Sequence, residues 1–190
     1  MVLEVKRAER TVEVCLDGSL VAEFEATNEA YKVAVKEAGA SSDKRLNSPV
    51  AKRVKDLEDR ARELSAAQRA ETVVFRLRAL PRLVWDGLVQ DHPARPVPKG
   101  DEAGPDGYLP FNRHTIPDAA LATEGAIVGV TRLEGGAVEP FTHEDWAGFS
   151  ETLSESQHED FRIAVIALNV GSNEVPFFPA SDKTPSSVKK

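Results

Sequence analysis

The sequence has a single cysteine, Cys15, so no disulfide can close within the chain. It has no stretch approaching the roughly 20 apolar residues that a helix needs to cross a bilayer. Aromatic residues make up only 6% of it, which predicts a core built mainly from aliphatic side chains. Cations are in the minority: 24 Lys and Arg face 31 Asp and Glu, for a net charge of -7. A phosphate backbone attracts Lys/Arg-rich surfaces, so general nucleic-acid binding is not expected. The first ten residues mix charges with isolated apolar side chains and lack the apolar run of a signal peptide. Together with the lone cysteine, this makes a cytoplasm the expected setting. Cys15 follows Val12 and Val14 and reads as a packed small residue rather than a reactive thiol.

Motifs that carry chemistry are missing too. There is no P-loop, no GxSxG, no HExxH and no GxGxxG followed by an acid. None of His92, His114, His143 and His158 stands at metal-ligand spacing from another His or a Cys. Acids are abundant, but most carboxylates in such a chain are solvated surface charge. Catalytic, cofactor-binding and metal-binding residues are therefore not expected, and the chain reads as non-enzymatic. The competing expectation, a small hydrolase using His92 or His114 with an acid, requires a pocket formed around those residues. Arg76 and Arg78, with Arg82 nearby, form either an anion site or pairs with the chain's own acids.

What is present is pattern. Thr11 to Leu16 read as a strand, and Asp17-Gly18 as a turn. Leu20 to Ala38 read as a helix ended by Gly39, and a polar linker runs to Ser48. Ser48 is a natural N-cap with Pro49 at the first helical position. Beyond it Val50, Val54, Leu57, Ala61 and Leu64 form a narrow heptad stripe that packs on one neighbour or pairs with another copy. Asp56 with Arg60 and Glu58 with Arg62 are helix pairs at i,i+4. Thr72 to Arg78 switch to period 2: Val73, Phe75 and Leu77 point one way, and Val74, Arg76 and Arg78 the other.

Pro81 opens a short helix to about Gln90 whose apolar face includes Trp85, a residue that is either core or contact. His92 to Gly107 read as a long, mobile surface loop. Pro117 suits the first turn of a helix running to about Val128, and Glu134-Gly135-Gly136 marks a turn. Thr142 and Asp145 cap the next helix, with Trp146, Phe149 and Leu153 on its buried face. Ser154 and Gln157 open the most apolar helix, where Phe161, Ala164, Val165 and Leu168 share a face widened by Ile163 and Ile166. The tail from Gly171 to Lys190 reads as disordered. Within it, Val175-Pro-Phe-Phe-Pro179 places two phenylalanines where neither a helix nor an inner strand can bury them. They either fold back onto the domain or dock on a partner as an extended peptide.

The expected fold is thus mainly α with a small β element, an α+β chain. Residues 1–48 would be an N-terminal strand and helix arm with its linker, and 49–70 a charged amphipathic helix. Residues 71–170 would be a compact, mostly helical core and 171–190 a flexible tail.

The order of these segments resembles the tail assembly chaperones of long-tailed phages and prophages of actinobacteria. The resemblance rests on Thr72-Val-Val-Phe-Arg-Leu-Arg-Ala-Leu80 before Trp85, then His92-Pro93, then Asn112 to Pro117. It continues in Thr142 to Trp146, Leu153-Ser154, Asn169 and Val175-Pro176-Phe177, and in the Val-Cys-Leu-Asp-Gly strand and turn near the N-terminus. It covers most of the chain; the segment from Ala122 to Pro140 departs most. The resemblance implies a non-enzymatic protein of the host cytoplasm that binds the tape measure protein, with the major tail tube protein as a further partner. It would keep the tape measure's apolar helices soluble while the tube assembles. A structural tail or head-tail connector protein retained in the virion is the alternative. Candidate partner contacts are Val50, Val54, Leu57, Leu64, Trp85, Phe177 and Phe178; self-association through the heptad stripe is also open, and no nucleic acid, membrane or cofactor is expected.

Overall fold

A computed structural model describes residues 6–40, 48–99, 104–136 and 140–171. The chain is α+β: the described residues form ten elements in order, of which three are strands of one antiparallel sheet. Strands β1 (Glu9–Cys15), β2 (Thr72–Arg78) and β3 (Ile127–Arg132) lie in the order β1-β2-β3, with β2 central. β1 pairs with β2 from Glu9↔Arg78 to Cys15↔Thr72. The N-terminal segment therefore shares one sheet with the segment after residue 71, and the expected boundaries at 48 and 70 do not separate bodies in space.

Antiparallel neighbours can be joined by a two-residue turn. Here two long helices are inserted instead. α1 (Gly18–Ala40) leaves the end of β1, and α2 (Pro49–Ala70) returns to the start of β2. The roots are tied where Leu16 N donates to Glu71 O at 3.0 Å. Each helix is about 34 Å long at 1.5 Å per residue, and the two pack chiefly on each other. The heptad stripe of α2 finds its neighbour in α1: Leu64 is buried, and Val50, Val54, Leu57 and Ala61 are half-buried.

Asp17-Gly18 is no hairpin turn. The Asp17 carboxylate accepts from Ser19 N at 2.9 Å and Ser19 Oγ at 2.6 Å, capping α1. Those bonds hold its pKa below the usual carboxylate value. Arg60 ignores Asp56 and reaches across to Glu23 on α1 at 2.5 Å, with Glu63 at 3.1 Å, while Glu58 and Arg62 pair as expected. Ser48 caps α2 by accepting from Ala51 N at 3.2 Å. Ser48→Ala should cost about 1 kcal/mol, read as a lowered thermal midpoint with the fold retained.

The inner face of the sheet carries Val12, Val14, Val73, Phe75 and Leu77. It is covered by α6 (Glu155–Val170), by α5 (Trp146–Ser150) and by α4 (Ile116–Leu121). α3 (Arg82–Asp91) packs on α4. The expected aliphatic core is overturned at its centre, where Phe75, Phe141, Phe149, Phe161 and Trp146 meet ring to ring. Trp85 and Phe111 add a second pair at 5.4 Å. Seven of the twelve aromatic residues of the sequence sit in these two clusters.

Two further expectations are corrected. The helix opened by Pro117 stops at Leu121, and residues 127–132 form β3. Gly125, at φ +80, ends the helical path, and the β-branched run Ile127, Val128, Val130, Thr131 suits a strand edge. Ile163 does not widen the buried face of α6; it is half exposed. The tail residues Phe177 and Phe178 lie outside the described residues.

Candidate interaction surfaces

The residues that gave the sequence its recognisable order are joints of the fold. Thr72 Oγ1 donates to Gln68 O at 2.7 Å, fixing the passage from α2 to β2. The Asn169 side chain accepts from Leu80 N at 2.9 Å and donates to Val165 O, tying the end of α6 to the exit of β2. His92 caps α3; its carbonyl accepts from Asn112 N, and its ring Nδ1 lies 2.9 Å from Thr115 Oγ1. Asn112 in turn accepts from His114 N. Thr142 with Asp145, and Ser154 with Gln157, form the two expected capping boxes. Side chains with these duties are placed by backbone accounting rather than by a reaction.

The loop from His92 to Thr115 is held from within. Asp106, buried with its side chain 2% exposed, accepts from Arg95 N at 2.7 Å and Arg113 N at 3.1 Å. The Arg95 guanidinium sits on the same carboxylate at 2.7 Å, and these bonds lower its pKa to about 2 against the opposing effect of burial. An isolated bridge joins Pro93 to Phe111. The described part of this loop is therefore not the mobile strip expected from its composition.

Besides His92, two further histidines have charged or polar neighbours. His158 Nε2 lies 2.8 Å from Asp118 Oδ1, which also accepts from Trp146 Nε1 at 3.2 Å. His114 Nδ1 lies 2.6 Å from the Arg162 guanidinium. Arg162 is buried on α6 between Glu155 and Glu159, an ionic anchor that nothing in the apolar pattern of that helix announced. Arg76 and Arg78 both face Glu9, at 3.7 and 2.6 Å, so these cations pair with one of the chain's own acids. Among the described residues no cluster of three or more His, Cys, Asp or Glu could hold a metal ion. No described helix is long and apolar enough to cross a membrane.

Among the described residues, two concave surfaces expose more apolar than polar area. One lies along the helical hairpin, about 300 Å³, between Phe24 and Tyr31 of α1 and Ala61 of α2. The other, about 520 Å³, lies where the chain entering β1, the exit of β2 and the end of α6 converge. Its floor is Leu80, Trp85 and Leu168, its rim carries Lys6, Arg7 and Arg82, and among the described residues no acidic side chain lines it. Arg7 Nη1 donates to Ala79 O at 3.0 Å, and Ala79 N to Ala8 O at 2.9 Å, which fixes the N-terminal wall.

The predicted contacts fall differently on these surfaces. Trp85 lines the second groove but is 8% exposed, with its ring against Phe111. Val50, Val54, Leu57 and Leu64 face α1 and form the seam of the arm rather than its outer surface. Sequence reasoning missed Lys6, Arg7, Leu80 and Leu168, which only the folded sheet brings together. Comparison of the chain with protein-family models, curated proteins and solved structures returns no match.

Proposed function

We propose that this chain is a tail assembly chaperone of a long-tailed phage or prophage, binding the tape measure protein, keeping it soluble and supporting assembly of the tail tube. The observation that carries this reading is the order of the segments from Thr72 to Asn169 that resembles that family. Those segments lie within one small α+β fold, from β2 to the end of α6. A second support is the kind of surface available. A tape measure is a long, apolar helical chain, and its keeper needs apolar contacts set in a soluble, acidic exterior. The apolar surface along the helical arm offers such contacts, and the net charge of -7 supplies the exterior. The protein acts by binding, without a chemical step.

Co-expression with the tape measure protein of the same genome should move that protein into the soluble fraction and co-purify the two. Unchanged solubility with no co-purification would count against the reading. Mass spectrometry of purified particles should find the chain missing; stoichiometric presence would instead favour a structural tail or connector role.

A further inference from the structure

The groove at the end of α6 combines features that are unusual together. Three cations, Lys6, Arg7 and Arg82, rim an apolar floor, with no lining carboxylate among the described residues, in a chain of net charge -7. Apolar side chains are left exposed beside it in the chain: Leu83 at 76% and Val84 at 39% separate Arg82 from Trp85, and Val170 at 46% follows Asn169. Exposed apolar residues flanking a groove mark a docking surface more often than isolated ones do.

The position of the helix end says what is at hand to cover it. α6 closes at Val170, and Gly171 leaves it in extended conformation, φ -59 and ψ 142, two residues past Asn169 of the groove wall. The sequence then runs Ser-Asn-Glu174-Val-Pro-Phe-Phe-Pro179. Phe177 is six residues beyond Gly171, and an extended chain of that length spans about 20 Å. The floor of the groove is thus within its reach.

We propose that this groove takes the Glu174–Pro179 segment of the same chain. The two phenylalanines cover Leu80, Trp85 and Leu168, and the Glu174 carboxylate meets the cationic rim. Pro176 and Pro179 suit the fit, because each lacks a backbone N–H that an apolar floor could not satisfy. Ion pairs at an exposed rim contribute little, so the phenylalanines carry the contact and the carboxylate sets its direction. A short tether supplies an effective concentration on the order of millimolar, so a contact too weak to hold a free peptide is occupied within the chain. This proposal does not rest on the tape measure reading, and either can fail without the other.

The test uses the full chain and its Phe177→Ala/Phe178→Ala variant in amide hydrogen exchange. The amides of Arg82 and Leu83 lie in the first turn of α3 and have no acceptor within the helix. They should exchange roughly tenfold or more slowly in the wild type than in the variant, while amides of β2 stay unchanged in both. Arg82→Glu and Glu174→Arg should each reduce that protection, and the combined swap should restore it. Equal exchange in wild type and double variant would overturn the proposal. So would light scattering that shows a wild-type dimer becoming monomeric in the variant, which assigns the segment to a second copy. Protection that appears only when a tape measure protein is present would overturn it as well, by giving the groove to the partner.

Discussion

Phe75→Ala should lower folding stability by about 3–5 kcal/mol, the largest loss expected from any single substitution in this chain. Phe75 lies on the central strand, 1% exposed, with Val12 opposite it on β1 and Val130 opposite it on β3. Its ring meets Phe141 edge-on at 5.2 Å, Phe149 at 5.0 Å and Phe161 edge-on at 5.1 Å. Truncation removes apolar area, opens a cavity and breaks three ring contacts at once, and neighbours on a hydrogen-bonded sheet cannot collapse to fill the space. Domains are stable by only about 5–15 kcal/mol, so the variant should sit close to the edge of folding. Urea denaturation should show a much lower midpoint with an unchanged slope. Phe75→Leu, which keeps most of the volume, should lose less than half as much. A loss below about 1 kcal/mol for the alanine variant would mean that the helices do not pack on the sheet through this ring.

The elements that local chemistry decides were legible in the sequence. Ser48-Pro49, Thr142 with Asp145, and Ser154 with Gln157 each specify a helix start by side-chain bonds within three residues, and each is found. The alternation of Val73, Phe75 and Leu77 likewise marks β2. The misreadings arose where a local signal had a second use. Asp17-Gly18 suits a turn, but the same carboxylate caps a helix when the chain continues into one. The segment after Pro117 suits a helix until the positive φ of Gly125 redirects it, and β3 then exists because β2 offers it an edge. The stripe of α2 was visible, yet its partner α1 is joined to it at the root by a bond between Leu16 and Glu71, which no periodicity encodes.

The candidate groove was scarcely legible for the same reason. Arg7 meets Ala79 across 72 positions of sequence, and Leu80 meets Asn169 across 89. Trp85 could be singled out by its type, but its neighbours are supplied by strand pairing and by the end of a distant helix. Charge also hid the site: an acidic total gave no hint of a local cationic rim.

Asp106→Ala should cost about 2–3 kcal/mol near neutral pH, in step with the loss of charge-assisted hydrogen bonds at a buried acceptor. The Asp106 carboxylate serves the backbone N–H groups of Arg95 and Arg113 and the guanidinium of Arg95. Its removal strands two amides and leaves that cation without its partner. The loss spreads because the loop it closes presents Phe111, 1% exposed, to Trp85. The sign of the pH dependence follows from the lowered pKa. The folded form holds this carboxyl ionised down to about 2, whereas its ordinary value is 3.8. Its contribution is therefore complete above the ordinary value and is lost as pH falls from about 4 through about 2. The stabilities of wild type and Asp106→Ala should accordingly converge across that window, each measured by urea denaturation at several pH values. A gap that stays constant down to pH 2 would assign the effect to packing and not to the ionised carboxylate. Arg95→Gln provides the complementary measurement. It leaves both backbone amides on Asp106 and removes only a guanidinium that is itself over a third exposed, so it should cost less than Asp106→Ala. It should also raise the carboxyl pKa and move the acid transition upward, because the Arg95 side chain is the largest cause of the lowering.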